Sequence, residues 1–203
     1  RNIVDYIWKS ANLEGIGVTY PETQAIYDGG IVNGLTVDSI IAINNLKYAW
    51  QFILENEGID YDFKALCHLH KLTCDKLVLD NNLGKLRTTP VNIGGTNWKP
   101  MFPIESQIKE ELDEILNQKD KTKTEIAIEI MLWIMRRQMF IDGNKRIAAT
   151  LFIYFLKFYN ILYKNERQVI DNNTLVAITL LIAQSNPKEK GILIDLVMNF
   201  LDE

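Results

Sequence analysis

Residues 138–146 read Gln-Met-Phe-Ile-Asp-Gly-Asn-Lys-Arg and lie between two strongly apolar stretches, residues 126–135 and 147–158. The spacing of the apolar residues predicts a helix on each side, so the quoted segment is a short polar loop that leads into a buried helix. Backbone N–H groups at a helix N-terminus lack intrahelical partners, and the helix dipole adds partial positive charge there. The sequence therefore predicts an anion site at this loop.

Single residues of the loop favour phosphate together with magnesium as the ligand. Gly143 allows close approach of the backbone to a ligand or a positive φ, and Asp142 offers an oxygen of the kind that hard cations prefer. Lys145 and Arg146 add fixed positive charge, which opposes the dipole of the helix that they begin. An anionic ligand would offset that repulsion. The alternative is an ordinary Asp-Gly-Asn turn between two antiparallel helices.

The order of these residues resembles the signature of the Fic/Doc superfamily, which reads His-Pro-Phe-x-Asp/Glu-Gly-Asn-Gly-Arg-x-x-Arg. The matching positions are Phe140, Asp142, Gly143, Asn144 and Arg146. Members of the family are all-helical, and most transfer AMP from ATP to a hydroxyl group of a protein. The resemblance thus implies an all-α, Fic-type helical bundle with a small β-hairpin flap. It also implies ATP and Mg²⁺ as cofactors, and a hydroxyl side chain of a target protein, or of the chain itself, as acceptor.

The resemblance implies roles for the matching loop residues, and Lys145 joins Arg146 because of its charge. Phe140 anchors the loop, Asp142 holds magnesium, and Gly143 with Asn144 cradles phosphate. Arg146, together with Lys145, binds the nucleotide and neutralises the charge that develops during transfer.

Gln138 is the departure with the largest consequence, because the family has its catalytic histidine at this position. That histidine is the general base, and a carboxamide can orient a hydroxyl group but cannot take its proton. Loss of general base catalysis typically lowers a rate by about 10²–10⁴-fold. Three alternatives stay open: a weakened transferase, a catalytically dead module that binds nucleotide or protein, or an altered form of an active enzyme.

Two further departures resemble the Doc branch of the superfamily, in which the target is phosphorylated. Lys145 replaces the second signature glycine, and Ala149 replaces the second arginine. Transfer of the γ-phosphoryl group is therefore an alternative to transfer of AMP. The retained Gly143 favours AMP transfer.

Residues 10–15 read Ser-Ala-Asn-Leu-Glu-Gly and resemble the inhibitory motif of self-inhibited Fic proteins, with Ser10, Glu14 and Gly15 at the matching positions. Ser10 and Glu14 are four residues apart and share one helix face. In the family this glutamate pairs with the second signature arginine. Since Ala149 stands there, Glu14 would need Lys145 or Arg146 as its partner.

Residues 84–103 are rich in turn formers, and the pair Gly94-Gly95 predicts a two-residue hairpin. Pro90 and Pro100 restrict such a hairpin to an exposed ribbon. The segment resembles the Fic flap, which follows a Gly-x-x-Arg element (here Gly84 to Arg87) and holds a target segment by strand addition. The predicted target-binding positions are Ile93, Gly94, Gly95 and Trp98. The alternative is a surface loop with Trp98 packed on the core.

The length predicts a single domain over residues 1–203. The resemblance implies that this domain is Fic-like, with an inhibitory helix at 1–15, a flap at 84–103 and the signature loop at 138–149. The 47% apolar and 24% charged content is that of an ordinary globular protein. A net charge of −4 argues against a nucleic-acid partner. No apolar run reaches the ~20 residues that span a bilayer, and two cysteines at helical spacing suggest reduced thiols, so we expect a cytoplasmic protein. Self-association into a homo-oligomer stays open.

Apolar periodicity and capping residues predict eight helices. Their ranges are 3–13, 36 or 38 to 56, 62–79, 104–117, 122–137, 146–159, 172–185 and 187–201, with residues 15–34 mostly in a loop. His68 and His70 fall on one of these helices without a third ligand at metal spacing. Both are interpreted as packing residues, and His70 as a replacement base is the less favoured alternative.

Overall fold

The computed structural model describes residues 3–58, 61–93, 99–164, 167–168, 173–174, 177–178, 181 and 185–202. These residues form eight α-helices: α1 (Ile3–Glu14), α2 (Tyr20–Tyr27), α3 (Val37–Glu55), α4 (Phe63–Cys74), α5 (Glu105–Leu116), α6 (Lys123–Arg137), α7 (Asn144–Phe158) and α8 (Lys190–Asp202). Short 3₁₀ turns cover Asp80–Asn82 and Pro187–Glu189. The fold is all-α, as the apolar periodicity predicts.

Side-chain caps explain where three of the helices begin. Thr36, Asp62 and Thr122 each accept a hydrogen bond from the backbone N–H three residues further on. At α6 the cap is reciprocal, because the Glu125 carboxylate also accepts the Thr122 backbone N–H at 2.7 Å. These caps confirm the predicted starts of α3, α4 and α6.

Helix α2 lies in the segment that was predicted to be mostly loop, so that prediction is wrong. Thr19 and Glu22 form a capping box, and Pro21 occupies the first turn, where its missing N–H costs nothing. The Thr-x-x-Glu pattern was therefore a usable signal, outweighed by the glycines around it.

Helix α4 ends at Cys74 instead of continuing to residue 79. Lys76 has a φ of 58°, a left-handed conformation that a helix cannot contain. The buried side chain of Asn45, on α3, donates hydrogen bonds to the carbonyl oxygens of Thr73 and Asp75 at 3.3 and 2.7 Å. These bonds satisfy carbonyl groups that the end of the helix leaves unpaired.

Helices α6 and α7 form the central antiparallel pair, joined by the signature loop. Helix α1 packs against α3 and α7, and α4 packs against α3 and α7. Most of α7 is buried, which explains why its sequence is apolar on nearly all faces. The loop between α6 and α7 is thus held on three sides, and α1 and α4 both end beside it.

Two very short strands, β1 (Tyr163–Lys164) and β2 (Arg167–Gln168), pair antiparallel after α7. The sequence did not predict them. The predicted flap hairpin is a separate segment, and its turn residues Gly94 and Gly95, with Trp98, lie outside the described residues. The described residues on either side of it, 84–93 and 99–103, contain no strand. The hairpin therefore stays a prediction.

The predicted helix over 172–185 lies mainly outside the described residues. Within the part of the chain that the structure describes, no helix has the length and apolar character required to cross a bilayer.

Candidate active site

Asn144 fixes the shape of the signature loop. Its side-chain oxygen accepts the backbone N–H of Phe140 at 3.0 Å, and its side-chain nitrogen donates to the Phe140 carbonyl at 2.8 Å. The same nitrogen donates to Oε1 of Gln138 at 3.2 Å. Because Asn144 is buried, these hydrogen bonds form away from competing water and hold the loop in one conformation.

Gly143 occupies a position that a larger residue would disturb. Its φ is +80°, and a Cβ at this position would lie 2.2 Å from Sγ of Cys74. The Asp142 carboxylate accepts the Gly143 backbone N–H at 2.7 Å, which stabilises the turn. Close packing against α4, and positive φ, explain why glycine stands here.

His70 supports the loop from α4. Its ring stacks on Phe140 with the centroids 4.0 Å apart. Nδ1 accepts the Gly84 N–H at 2.7 Å, so the proton must be on Nε2, which donates to the Asp142 carbonyl at 3.0 Å. Burial lowers the pKa of His70. Both ring nitrogens are engaged, which argues against His70 as a replacement base.

Arg87 joins the loop to both ends of the segment that contains the predicted flap. Its Nε donates to the Gln138 carbonyl at 2.6 Å, while its terminal nitrogens donate to the carbonyls of Thr89 and Met101 at 2.8 and 2.7 Å. Its own backbone N–H donates to the Met139 carbonyl at 3.0 Å. A buried guanidinium with five donors can satisfy several carbonyl groups at once. The sequence resemblance marked Arg87 as the end of a Gly-x-x-Arg element before the flap, but it did not indicate the hydrogen bonds of Arg87 to the signature loop.

Gln138 ends α6 in a left-handed conformation with φ 45°. Its side-chain nitrogen donates to the Met135 carbonyl at 2.6 Å, and its side-chain oxygen accepts from Asn144. The carboxamide at the base position is therefore held by the end of α6 and by the loop.

The N-terminus of α7 carries an excess of positive charge. Gly143 precedes the helix and supplies no side-chain cap, and the first turn contains Lys145 and Arg146 but no acidic residue. Unpaired N–H groups, the helix dipole and two cations thus point to the same place. This is an arrangement that favours an anion.

The carboxylate of Glu14 lies beside this N-terminus. Its Oε1 is 2.5 Å from Nε of Arg146, and Lys145 Nζ donates to the Glu14 carbonyl at 2.9 Å. The side chains of Glu14 and Arg146 are only 14% and 15% exposed. Burial raises the pKa of Glu14 despite the neighbouring Arg146. The structure thus brings Glu14 to the two cations that the sequence offered as its partners.

Asp142 is the exposed acid of the site. Its side chain is 60% exposed, and its Oδ2 is 3.6 Å from Nη2 of Arg146. Mg²⁺ keeps several waters and is commonly held by one or two carboxylates plus substrate phosphates. An accessible carboxylate beside the positively charged N-terminus of α7 suits that mode of binding.

The remaining predicted residues are placed differently. Ser10 lies in the interface of α1 and α3, where it accepts Nε1 of Trp50 at 2.9 Å and donates to the Tyr6 carbonyl at 2.8 Å. It therefore anchors the helix that carries Glu14. Gly15 has φ +94° and ends that helix. Of the predicted flap positions, Ile93 is described, while Gly94, Gly95 and Trp98 lie outside the described residues.

Comparisons with known proteins agree with this geometry. The sequence profile described as the Fic/DOC family matches residues 60–156. A comparison with curated proteins finds no match.

Several solved structures share the fold. A Fic family protein from Desulfovibrio desulfuricans G20 superposes with a TM-score of 0.74 at 17% identity, covering 98% of this chain and 62% of the other. Fic-1 from C. elegans gives 0.70 at 16%, covering 98% and 62%. A Fic domain containing signaling protein from Bacteroides thetaiotaomicron VPI-5482 gives 0.70 at 16%, covering 98% and 82%. The chain thus spans less than two thirds of the length of the first two.

The fold, the signature loop and the family match define a Fic-type helical protein. Residues 60–156 of this chain match the Fic/DOC family and carry the signature loop.

Proposed function

We propose that this chain is a Fic-type protein adenylyltransferase, which transfers AMP from Mg-ATP to a protein hydroxyl group and is inhibited by its own Glu14. The family match supports a transfer reaction onto protein, and the chain's own residues support the more specific steps.

The observation that carries the proposal is the position of the Glu14 carboxylate. It stands in for an anionic group at the N-terminus of α7, where Lys145 and Arg146 would otherwise hold phosphate oxygens. A phosphate group is the ligand that best suits unpaired N–H groups, a helix dipole and two cations. Because Glu14 and phosphate would compete for Arg146, α1 must shift at its C-terminus before nucleotide can bind.

The residues present fit ATP and Mg²⁺. Asp142 would hold the metal, which when bound would neutralise charge on the phosphate oxygens. Lys145 and Arg146 would bind and orient the phosphates. The buried contacts of Asn144, His70 and Phe140 hold the signature loop in the conformation that would bind phosphate.

Gln138 limits the rate in this proposal. Its carboxamide can orient the acceptor hydroxyl but cannot remove the proton. Positioning and charge stabilisation, which provide most of the catalysis in phosphoryl-type transfer, remain available. We therefore expect slow transfer, increased by Gln138→His.

The test is self-modification by the variant Glu14→Gly/Gln138→His, incubated with Mg²⁺ and ATP labelled either at the α- or at the γ-phosphate. Label from α-phosphate alone on the protein supports AMP transfer. Label from γ-phosphate alone supports the Doc-like kinase alternative. Because a target protein could be the obligatory acceptor, a mixture of serine-, threonine- and tyrosine-containing peptides is added in a second arm. No product in either arm would contradict an enzymatic function.

A second candidate, a catalytically dead module that binds a protein, is favoured by the engagement of Gln138 with Met135 and Asn144. This candidate predicts that capture of a partner depends on the flap and not on the metal position. Trp98→Ala should then abolish capture while Asp142→Ala leaves it intact. Equal sensitivity to both variants would contradict it.

A further inference from the structure

A cavity of about 210 Å³ lies between α5, α6 and α8, apart from the signature loop. Within the described part of the chain its lining surface is mainly apolar and includes one acid and three cations: Met101, Ile115, Glu129, Leu132, Trp133, Arg136, Arg137 and Lys190. Met101 belongs to the predicted flap segment, and the other seven residues lie outside the candidate active site.

Glu129 is the feature that distinguishes this cavity from a packing defect. Its side chain is only 3% exposed, and its Oε1 is 3.0 Å from Nζ of Lys190 and 3.6 Å from Nζ of Lys121. Its Oε2 is buried and has no hydrogen-bond partner within the described part of the chain. A buried carboxylate oxygen without a donor is unfavourable, and a ligand with an N–H or O–H group would satisfy it.

Hydrogen bonds to Glu111, on the neighbouring α5, and to the Met101 carbonyl hold two of the lining side chains, Trp133 and Arg137, in place. Glu111 accepts from Trp133 Nε1 at 2.6 Å and from Arg137 Nε at 3.0 Å. Arg137 also donates to the Met101 carbonyl at 3.0 Å. A ligand therefore enters a site that is already formed, which lowers the entropy cost of binding.

The size and charges of the lining select the ligand. A cavity of about 150 Å³ admits benzene, so this volume suits one or two fused rings. The guanidinium groups of Arg136 and Arg137 and the thioether of Met101 favour aromatic rings over aliphatic groups. Two of the three cations are already paired with carboxylates, Lys190 with Glu129 and Arg137 with Glu111, so the lining favours a neutral ligand over a charged one.

From these observations we propose that the cavity binds a small, neutral aromatic molecule with a single hydrogen-bond donor, of the indole or phenol class. Its ring lies between Trp133, Leu132 and Ile115, and its donor is directed at Oε2 of Glu129. The site is independent of the proposed transferase activity.

The first experiment titrates the whole chain with indole and, separately, with indene, which has the same shape but no N–H donor. Binding is followed by ligand-observed NMR. Indole should bind at least about tenfold more tightly, because a hydrogen bond to a charged acceptor is lost with indene. Equal binding of both probes, or no binding of indole, would overturn the proposal.

Two variants locate the site. In Glu129→Gln the amide oxygen faces Lys190, so the NH₂ group faces the cavity and cannot accept a hydrogen bond. The preference for indole over indene should therefore disappear.

Ile115→Trp fills the cavity and should abolish binding of both probes. Unchanged indole binding in correctly folded Ile115→Trp, checked by circular dichroism, would place the ligand elsewhere and contradict the proposal. The comparison of the two probes on the unaltered chain needs neither variant to fold.

Discussion

Glu14 and Arg146 are 132 residues apart in the sequence and form a partly buried salt bridge of 2.5 Å between Oε1 and Nε. The contact joins the last residue of α1 to the first turn of α7. The C-terminal end of one helix thus meets the N-terminal end of another, and the two helix dipoles attract. The bridge occupies the position where an anionic ligand of the loop would be expected.

The Lys145 contact strengthens this arrangement, because it uses the backbone carbonyl of Glu14 and not its carboxylate. Replacing the Glu14 side chain would therefore remove the Arg146 bridge and leave the Lys145 contact. Inhibition by α1 should be weakened, and not abolished, by a side-chain substitution at residue 14.

Gly143→Ala should lower the free energy of unfolding more than a Gly→Ala substitution at a glycine that also has positive φ but has free space at its Cβ position. Positive φ costs roughly 1–2 kcal/mol for a residue with a Cβ, and crowding in a packed site costs roughly 1–3 kcal/mol more. The added Cβ would meet Sγ of Cys74. Chemical denaturation measures the free energy of unfolding.

Gly34→Ala is the matched control, since Gly34 has φ +91° and no heavy atom within 4 Å of the Cβ position. Adding Cys74→Ala to Gly143→Ala should recover part of the loss. Equal destabilisation by Gly143→Ala and Gly34→Ala would contradict the packing against α4.

Asn144→Ala should lower the free energy of unfolding by roughly 2–4 kcal/mol, because it leaves buried backbone groups of Phe140 unpaired. Asn144→Asp keeps an acceptor for the Phe140 N–H and should lose less. Asn117→Ala is the control, since that side chain makes exposed hydrogen bonds to Asp113. A loss no greater than that of Asn117→Ala, measured by urea denaturation, would show that Asn144 does not hold the loop.

The sequence was sufficient for the fold class, because apolar periodicity, caps such as Thr122 and the loop motif all indicate helices and their starts. It also offered Lys145 and Arg146 as partners for Glu14, and Glu14 contacts both in the structure. Helix ends were harder: Asn45 ends α4 through carbonyl contacts across 28 and 30 residues, and no local pattern encodes such a contact.

The support of the loop could not be predicted for the same reason. His70 contacts the Asp142 carbonyl across 72 residues, and Arg87 contacts the Gln138 carbonyl across 51. Both side chains bind backbone carbonyl oxygens. Because every residue has such a carbonyl, the sequence does not show which residue will be the partner.

The fold should lose stability as pH falls below about 6.5, the ordinary pKa of histidine. Burial lowers the pKa of His70 in the folded chain, so the unfolded chain binds the extra proton first, and unfolding is favoured as pH falls through the unfolded pKa. Protonation would also place a hydrogen on Nδ1, which accepts the Gly84 N–H.

Thermal denaturation at pH 7.5 and 5.5, for the unaltered chain and for His70→Gln, checks this prediction. The raised pKa of Glu14 acts in the opposite direction at lower pH, and since both chains contain Glu14, their difference isolates His70. The unaltered chain should lose more stability than the variant over this interval. An equal pH dependence in the two chains would contradict the neutral, hydrogen-bonded His70.

Competition between Glu14 and phosphate at Arg146 is the central claim, and calorimetric titration of Mg-ATP tests it most directly. The chain and its Glu14→Gly variant are compared, with Glu110→Gln on the exposed face of α5 as the control. The variant should bind Mg-ATP about 5–150-fold more tightly than the unaltered chain, the usual range of a coupling between two sites, while the control is unchanged. Equal affinity in all three chains would contradict gating by Glu14, and absence of binding in all three would contradict the nucleotide site.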